Sequence, residues 1–280
     1  MDRKTDRMHK DVRKYYNEHV ANEDKRLDNQ PFEIPLLMNF VNRYLKKGDR
    51  LFDVACGTGR IAGGLLDHGF LMGLNDLSDK NIELVRQRAG DHPGVLFIKR
   101  ADALESSAWD QGDWDGILML GPMYHLISKE NRLRMLRLAF DHLKPGGFLF
   151  SAFMTRVGAL VYGLKNNPEG ILYANGAEKL WATGTDDSFV EATEWFTNAY
   201  FSHPEEVNPL IEQAGLKPLH LAGAEGVFGE RLELYHPLGE KLQERWMDFI
   251  IARCEDPRMM QNAKHLLSVS QKPDLQDNSF

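Results

Sequence analysis

The stretch Leu51-Phe52-Asp53-Val54-Ala55, followed at once by Cys56-Gly57-Thr58-Gly59 and a helical pattern from Arg60, constrains this chain more than any other feature. An apolar run of strand length that turns through glycines into a helix lets the backbone pass close to a ligand, because glycine accepts φ angles that a Cβ forbids. A ligand is therefore expected over this turn. The loop alone admits two: Gly57-x-Gly59-x-x-Ala62 also fits the loose dinucleotide fingerprint, with Asp76 nineteen residues beyond Gly57 to take a ribose hydroxyl.

From about residue 50 to 155, short apolar runs alternate with helical patterns, as in a parallel sheet with crossover helices. Five strands are predicted: Arg50 to Ala55, Phe70 to Asn75, Val95 to Arg100, Gly116 to Leu120 and Phe148 to Phe153. Ser78 is placed to cap a helix with Ile82, Val85 and Ala89 on its apolar face and Gly90 as its stop. Leu133, Leu136, Phe140 and Leu143 mark another, which Pro145-Gly146-Gly147 is expected to end. Residues 156–203, rich in glycine and aromatics, break the rhythm and read as an insertion. A helix over Pro204 to Gly215 and a strand over Leu216 to Ala222 follow, then a helical insertion at 229–262 and a last strand at His265 to Ser270. The chain is thus expected to be one domain over 1–280: an α/β core at about 45–155, 204–228 and 263–272, an N-terminal helical segment at 1–44, and two cap insertions.

Composition narrows the function. With 42% apolar residues the chain can close its own core without metal or disulfide staples, and two distant cysteines, Cys56 and Cys254, suit a reducing, cytoplasmic setting. A net charge of −7 offers no field for nucleic acid. No run approaches a membrane span, and Met8, Val12, Tyr15 and Tyr16 space out as an amphipathic helix rather than a signal peptide. No paired Cys-x-x-Cys or His-Glu-x-x-His supports a metal site, and no Gly-x-Ser-x-Gly elbow or phosphate loop is present. Cys56 reads as a small filler.

The company kept by the glycine loop separates its two ligands. Asp53 lies at the end of the first strand, Asp76-Leu77-Ser78 at the end of the second, and Asp102-Ala103 after the third. Three carboxylates thus ring one crevice at the carboxyl ends of adjacent strands, where open α/β sheets bind ligands. A ligand with hydroxyls, an amino group and a positive centre fits better there than one with two phosphates.

At this point the chain resembles the class I S-adenosylmethionine-dependent methyltransferases. The resembling stretches are Leu51 to Arg60, Asn75 to Ser78, Arg100 to Ala103, Trp114 to Leu126 and His142 to Phe150, in the family's order and spacing. The resemblance implies a doubly wound, Rossmann-like, seven-stranded mixed sheet with the last strand antiparallel, and S-adenosylmethionine as methyl donor, leaving as S-adenosylhomocysteine. It implies that Asp76 bonds the ribose hydroxyls, with Leu77 beside it. Asp102 would meet the adenine amino group while Ala103 lends backbone, Ala55 and Gly57 would pass under the methionine moiety, and Leu120 would offer its carbonyl. Asp53 would hold the turn and face the ammonium. Tyr16 and Arg26 belong to a segment that in the family often folds over the donor. Two departures stand out: Ala55 replaces the loop's usual first glycine, and Asn75-Asp76 comes one place later after Gly73 than is common.

Gly121-Pro122-Met123-Tyr124-His125 replaces the Asn/Asp-Pro-Pro-aromatic signature of members that methylate DNA bases or protein glutamine, so a small-molecule acceptor is expected. Tyr124 and His125 are the candidate catalytic residues, His125 as a base and Tyr124 as a wall near the sulfonium. The aromatics Tyr162, Tyr173, Trp181, Phe189, Trp195, Phe196, Tyr200 and Phe201 read as a lid lined for an apolar molecule, with His203 a further candidate at its end. The acceptor atom, oxygen, nitrogen or sulfur, stays open. A non-catalytic donor-binding sensor and a nicotinamide-dependent oxidoreductase are the alternatives.

Overall fold

The computed structural model describes residues 12–19, 30–109, 112–169, 176–185 and 199–274. Their elements run α1 (12–18), α2 (Glu33–Tyr44), β1 (Arg50–Asp53), α3 (Arg60–Asp67), β2 (Leu71–Asp76), α4 (Asp79–Ala89) and β3 (Val95–Arg100). Next come β4 (Trp114–Met119), α5 (Pro122–His125), α6 (Lys129–His142), β5 (Leu143–Met154), α7 (Arg156–Asn166) and α8 (Gly176–Thr183). The chain closes with α9 (Pro204–Gln213), β6 (Lys217–Gly223), α10 (Glu240–Ile251), α11 (Pro257–Met260) and β7 (His265–Gln271).

One seven-stranded sheet has the order β3-β2-β1-β4-β5-β7-β6. Strands β1 to β5 pair in parallel, with Leu51 opposite Met72 on one side and Gly116 on the other. Strand β7 slots between β5 and β6 and runs antiparallel to both, pairing Phe150 with Val269 and Leu221 with Ser268. That reversed strand departs from the all-parallel order of dinucleotide-binding sheets.

Both faces of the sheet are covered, which is why its strands read as continuous apolar runs rather than alternating ones. Successive residues enter opposite cores: Phe52, Ile117 and Leu149 pack on one side, Leu51, Leu118 and Phe150 on the other, all essentially inaccessible to solvent. Phe52 stacks on Trp114 with ring centroids 5.2 Å apart, anchoring the first of these cores.

Helix α4 starts at Ser78, whose side chain accepts the Asn81 N–H, as the sequence predicts. It stops at Gly90, also as predicted, although Gly90 keeps a right-handed φ of −57°. The Pro145-Gly146-Gly147 segment differs from expectation. Helix α6 already ends at His142, and these three residues form an irregular start of β5, with Gly146 at φ 77°. The pairing jumps there from Trp114 opposite Leu143 to Gly116 opposite Phe148.

The C-terminal insertion packs Phe228, Tyr235 and Ile250 against Phe32 at the entrance to α2, closing a small satellite core. Among the described residues no helix is long and apolar enough to cross a membrane.

Candidate active site

At the carboxyl ends of β1, β2, β3 and β4 lies a crevice with about 1130 Å³ of empty space, open to solvent on one side. Asp53, Ala55, Gly57, Asp76, Leu77, Asp102, Ala103, Leu120, Tyr124, His125 and Tyr16 all line it. Arg26 lies outside the described residues, as do Tyr173, Phe189, Trp195 and Phe196.

The glycine loop forms the floor. Gly57 and Gly59 hold φ of 54° and 79°, and a Cβ at Gly57 would meet nothing within 4 Å, so the space above the turn is open. The loop is fixed from below: Gly57 N–H donates to Asp76 Oδ2 at 2.9 Å, and Cys56 N–H donates to the Asn75 carbonyl at 2.9 Å. Asp76 also accepts the Ser78 N–H at 2.8 Å and the Asn81 side-chain amide at 3.1 Å. Asn75 turns away from the crevice, and its amide donates to the Val54 and Ala101 carbonyls at 3.0 and 3.1 Å, stapling three strand ends together. The extra residue after Gly73 therefore becomes a structural clip, and Asp76 is the one that reaches the crevice.

Two buried carboxylates face this space. Burial pushes Asp53 up to about 7, opposed by its bond from the Ala55 N–H and reinforced by the neighbouring Asp76 charge. Burial likewise pushes Asp76 up to about 6, with the donors from Ser78, Asn81 and Gly57 pulling it back. Such a pair is poised to ionise fully when a cation enters. Burial and the two aspartates raise the Cys56 thiol well above its usual range, which removes it as a nucleophile and fits a filler role.

Helix α1 lies across the open side. Val12 and Tyr16, one turn apart, both reach the crevice, and the Tyr16 hydroxyl lies 2.8 Å from His125 Nε2. The helix is pinned to the start of α4: Asn17 Oδ1 accepts the Ser78 hydroxyl at 2.7 Å, and Asp79 bridges Arg13 and Arg100, the latter at 3.2 Å.

The described aromatics of the first insertion do not line the crevice. Tyr200 stacks under the Arg132 guanidinium at 3.4 Å and donates to Glu206, while Phe201 packs on Leu180. Trp181 is half exposed and meets His203 edge to face at 4.8 Å. Tyr162 belongs to α7.

A second, smaller chamber, with about 510 Å³ of empty space counting its open mouth, shares Ile61, Leu120 and Tyr124 with the crevice. Its polar end carries Glu33 and His265, with Glu225 behind them; one ligand atom of each lies within 4.8 Å of the others. Sequence reading missed this trio, as it missed Ile61, Asn81 and Met135 in the crevice wall. Asn81 had a signal, since it sits three residues beyond the Ser78 cap.

Residues 51–147 match the family described as a methyltransferase domain. The ubiquinone biosynthesis O-methyltransferase of Coxiella burnetii is 26% identical over 209 residues, 73% of this chain and 75% of that one. Among solved structures, the N-methyltransferase NodS of Bradyrhizobium japonicum, in complex with S-adenosylhomocysteine, aligns with a TM-score of 0.59 at 15% identity, covering 94% of this chain and 99% of that one. The 1,6-didemethyltoxoflavin-N1-methyltransferase of Burkholderia thailandensis aligns with a TM-score of 0.56 at 14% identity, over 94% and 88%. Residues 51–147 thus form a methyltransferase domain, and the reversed seventh strand, glycine loop and acidic strand ends have the arrangement of the class I S-adenosylmethionine-dependent methyltransferase fold. The chain is an enzyme that uses S-adenosylmethionine as methyl donor.

Proposed function

We propose that this methyltransferase acts on an oxygen, nitrogen or sulfur atom of a small molecule with an apolar or aromatic body. The observation that carries the reading is the second chamber: Leu36, Leu37 and Leu267 give it apolar walls, and it shares Leu120, Tyr124 and Ile61 with the donor crevice. A recess with mostly aliphatic walls and a few polar groups at one end suits a compact organic molecule.

When bound, S-adenosylmethionine supplies a methyl group on a positively charged sulfur. The chain's own residues divide the remaining work. Asp76 takes the ribose hydroxyls, Asp102 and Ala103 the adenine edge, and Ala55, Gly57 and Leu120 the methionine part, with Asp53 answering its ammonium. Tyr16, on α1, covers the donor and excludes water. Tyr124 walls the point at which the methyl group emerges. His125 has its Nε2 engaged by Tyr16, so proton abstraction by His125 requires Tyr16 to move first.

Two measurements test the reading. Titration calorimetry with S-adenosylmethionine, S-adenosylhomocysteine and NADH should show binding of the first two alone. Release of S-adenosylhomocysteine, followed across a panel of small phenols, amines and thiols, should reveal turnover with apolar-bodied members. Donor binding with no turnover on any acceptor would favour a donor-binding sensor instead.

A further inference from the structure

His265 opens β7 at the same sheet edge as the donor crevice, and its ring lines the second chamber. Its Nδ1 lies 2.6 Å from Glu225 Oε1 and 3.3 Å from Glu33 Oε1. Glu225 is 1% exposed, and its other oxygen accepts the backbone N–H groups of Lys264 and His265 at 2.9 and 3.1 Å. A carboxylate held by two backbone donors presents its free oxygen as an acceptor, so Nδ1 carries a proton and, in the neutral ring, the lone pair lies on Nε2. No described residue hydrogen-bonds Nε2. The charged groups around the ring are Glu33 on α2, Glu225 after β6, and the neighbouring Lys264–Glu230 pair at 3.0 Å.

A buried carboxylate that fixes the tautomer of a histidine beside an apolar recess next to the donor crevice is the arrangement of an oriented general base. We propose that His265, oriented by Glu225, is the base that accepts the proton of the methyl acceptor, and that the chamber takes an apolar-bodied molecule whose nucleophile still bears that proton, a hydroxyl or a protonated amine. This rests on the small-molecule methyl-transfer reading above. In the step, the acceptor's proton passes to His265 Nε2 and its freed electron pair forms the new bond to the methyl carbon. The pair from the broken carbon–sulfur bond stays on sulfur, which leaves as a neutral sulfide. Glu225 remains ionised throughout and stabilises the imidazolium.

The test needs no knowledge of the natural acceptor. The full chain, saturated with S-adenosylhomocysteine, is titrated with 4-nitrophenol, whose phenolate absorbs visible light, at a pH where the free phenol is mostly protonated. A phenolate band that saturates with probe is expected, and it should fall at least tenfold in His265→Gln. Glu225→Gln provides a milder second variant. Its carboxamide oxygen still accepts the backbone N–H groups, but its amide donates to Nδ1 and so drives the proton onto Nε2; the band should vanish here too. Calorimetry should find S-adenosylhomocysteine affinity unchanged in both. The absence of a band in the wild type, or a band indifferent to both substitutions, overturns the proposal. A band that appears only with added Mn²⁺ and is abolished by chelator also overturns it, reassigning Glu33, Glu225 and His265 to a cation. Failure of the wild type to bind S-adenosylhomocysteine would instead sink the underlying methyltransferase reading.

Discussion

The hydroxyl of Tyr16 stands 2.8 Å from Nε2 of His125, so two residues 109 positions apart join the N-terminal helix to the turn after β4. With Asn17 on Ser78 and Arg13 on Asp79, this contact holds α1 across the crevice. Tyr16→Phe removes the bond but keeps the ring. A net hydrogen bond of about 1 kcal/mol translates into a donor dissociation rate several-fold faster, with association little altered. Stopped-flow displacement of S-adenosylhomocysteine measures this directly, and equal rates in both proteins would show that α1 does not retain the ligand.

Asp76 meets the crevice while also holding the Gly57 N–H, so its substitution should act on binding more than on folding. Asp76→Ala removes charge-assisted bonds of about 1.5–3 kcal/mol each, and donor affinity should drop about 100-fold. Calorimetry gives the affinity, and a parallel thermal melt separates it from global unfolding.

Both crevice aspartates titrate above their ordinary 3.8, Asp53 near 7 and Asp76 near 6. A carboxyl whose folded value is raised binds more protons folded than unfolded, so its stabilising contribution is present below about pH 4 and is lost as pH rises through 6 to 7. Urea unfolding of wild type and Asp53→Asn across pH 4.5 to 7.5 should therefore converge at the acid end, with wild type falling behind as pH rises. A cationic donor lowers both values, so its binding near pH 6 should release protons. Calorimetry in two buffers of different ionisation enthalpy reads that release, and identical heats would argue against it.

Gly59 combines a φ of 79° with close approach, since a Cβ there would stand 3.0 Å from Val85 Cγ2. Gly59→Ala should cost about 1–2 kcal/mol through left-handed strain, with the contact adding to it. Adding Val85→Ala should relieve the contact and leave the strain, which chemical denaturation of the single and double variants can resolve.

Much of this architecture is legible in the amino-acid sequence. The strands announced themselves because a sheet buried on both faces needs unbroken apolar runs, such as Leu51 to Val54, bounded by turn residues. The floor of the crevice was legible because it is local: Asp53 and Asp76 close strands, and Gly57 and Asp102 come just after them. The trio at the other end left no such trace. Glu33 opens a helix near one end of the chain and His265 a strand near the other, and nothing in either neighbourhood marks them as partners. The aromatics of the first insertion misled for a related reason: composition says that Tyr200 and Phe201 will bury area, but not which way they face. Here Arg132 and Leu180 claimed them.

The reversal of β7 has a bearing on how such a chain can change. Because this strand runs against its neighbours, it delivers its first residue rather than its last to the ligand edge, and with it the partner of Glu225. The acidic strand ends and glycine turn are thus encoded between Asp53 and His125, whereas Glu225 and His265 arrive from the final quarter of the sequence. On the roles proposed above, substitutions in that last stretch would alter what is accepted and leave the donor-side crevice unchanged.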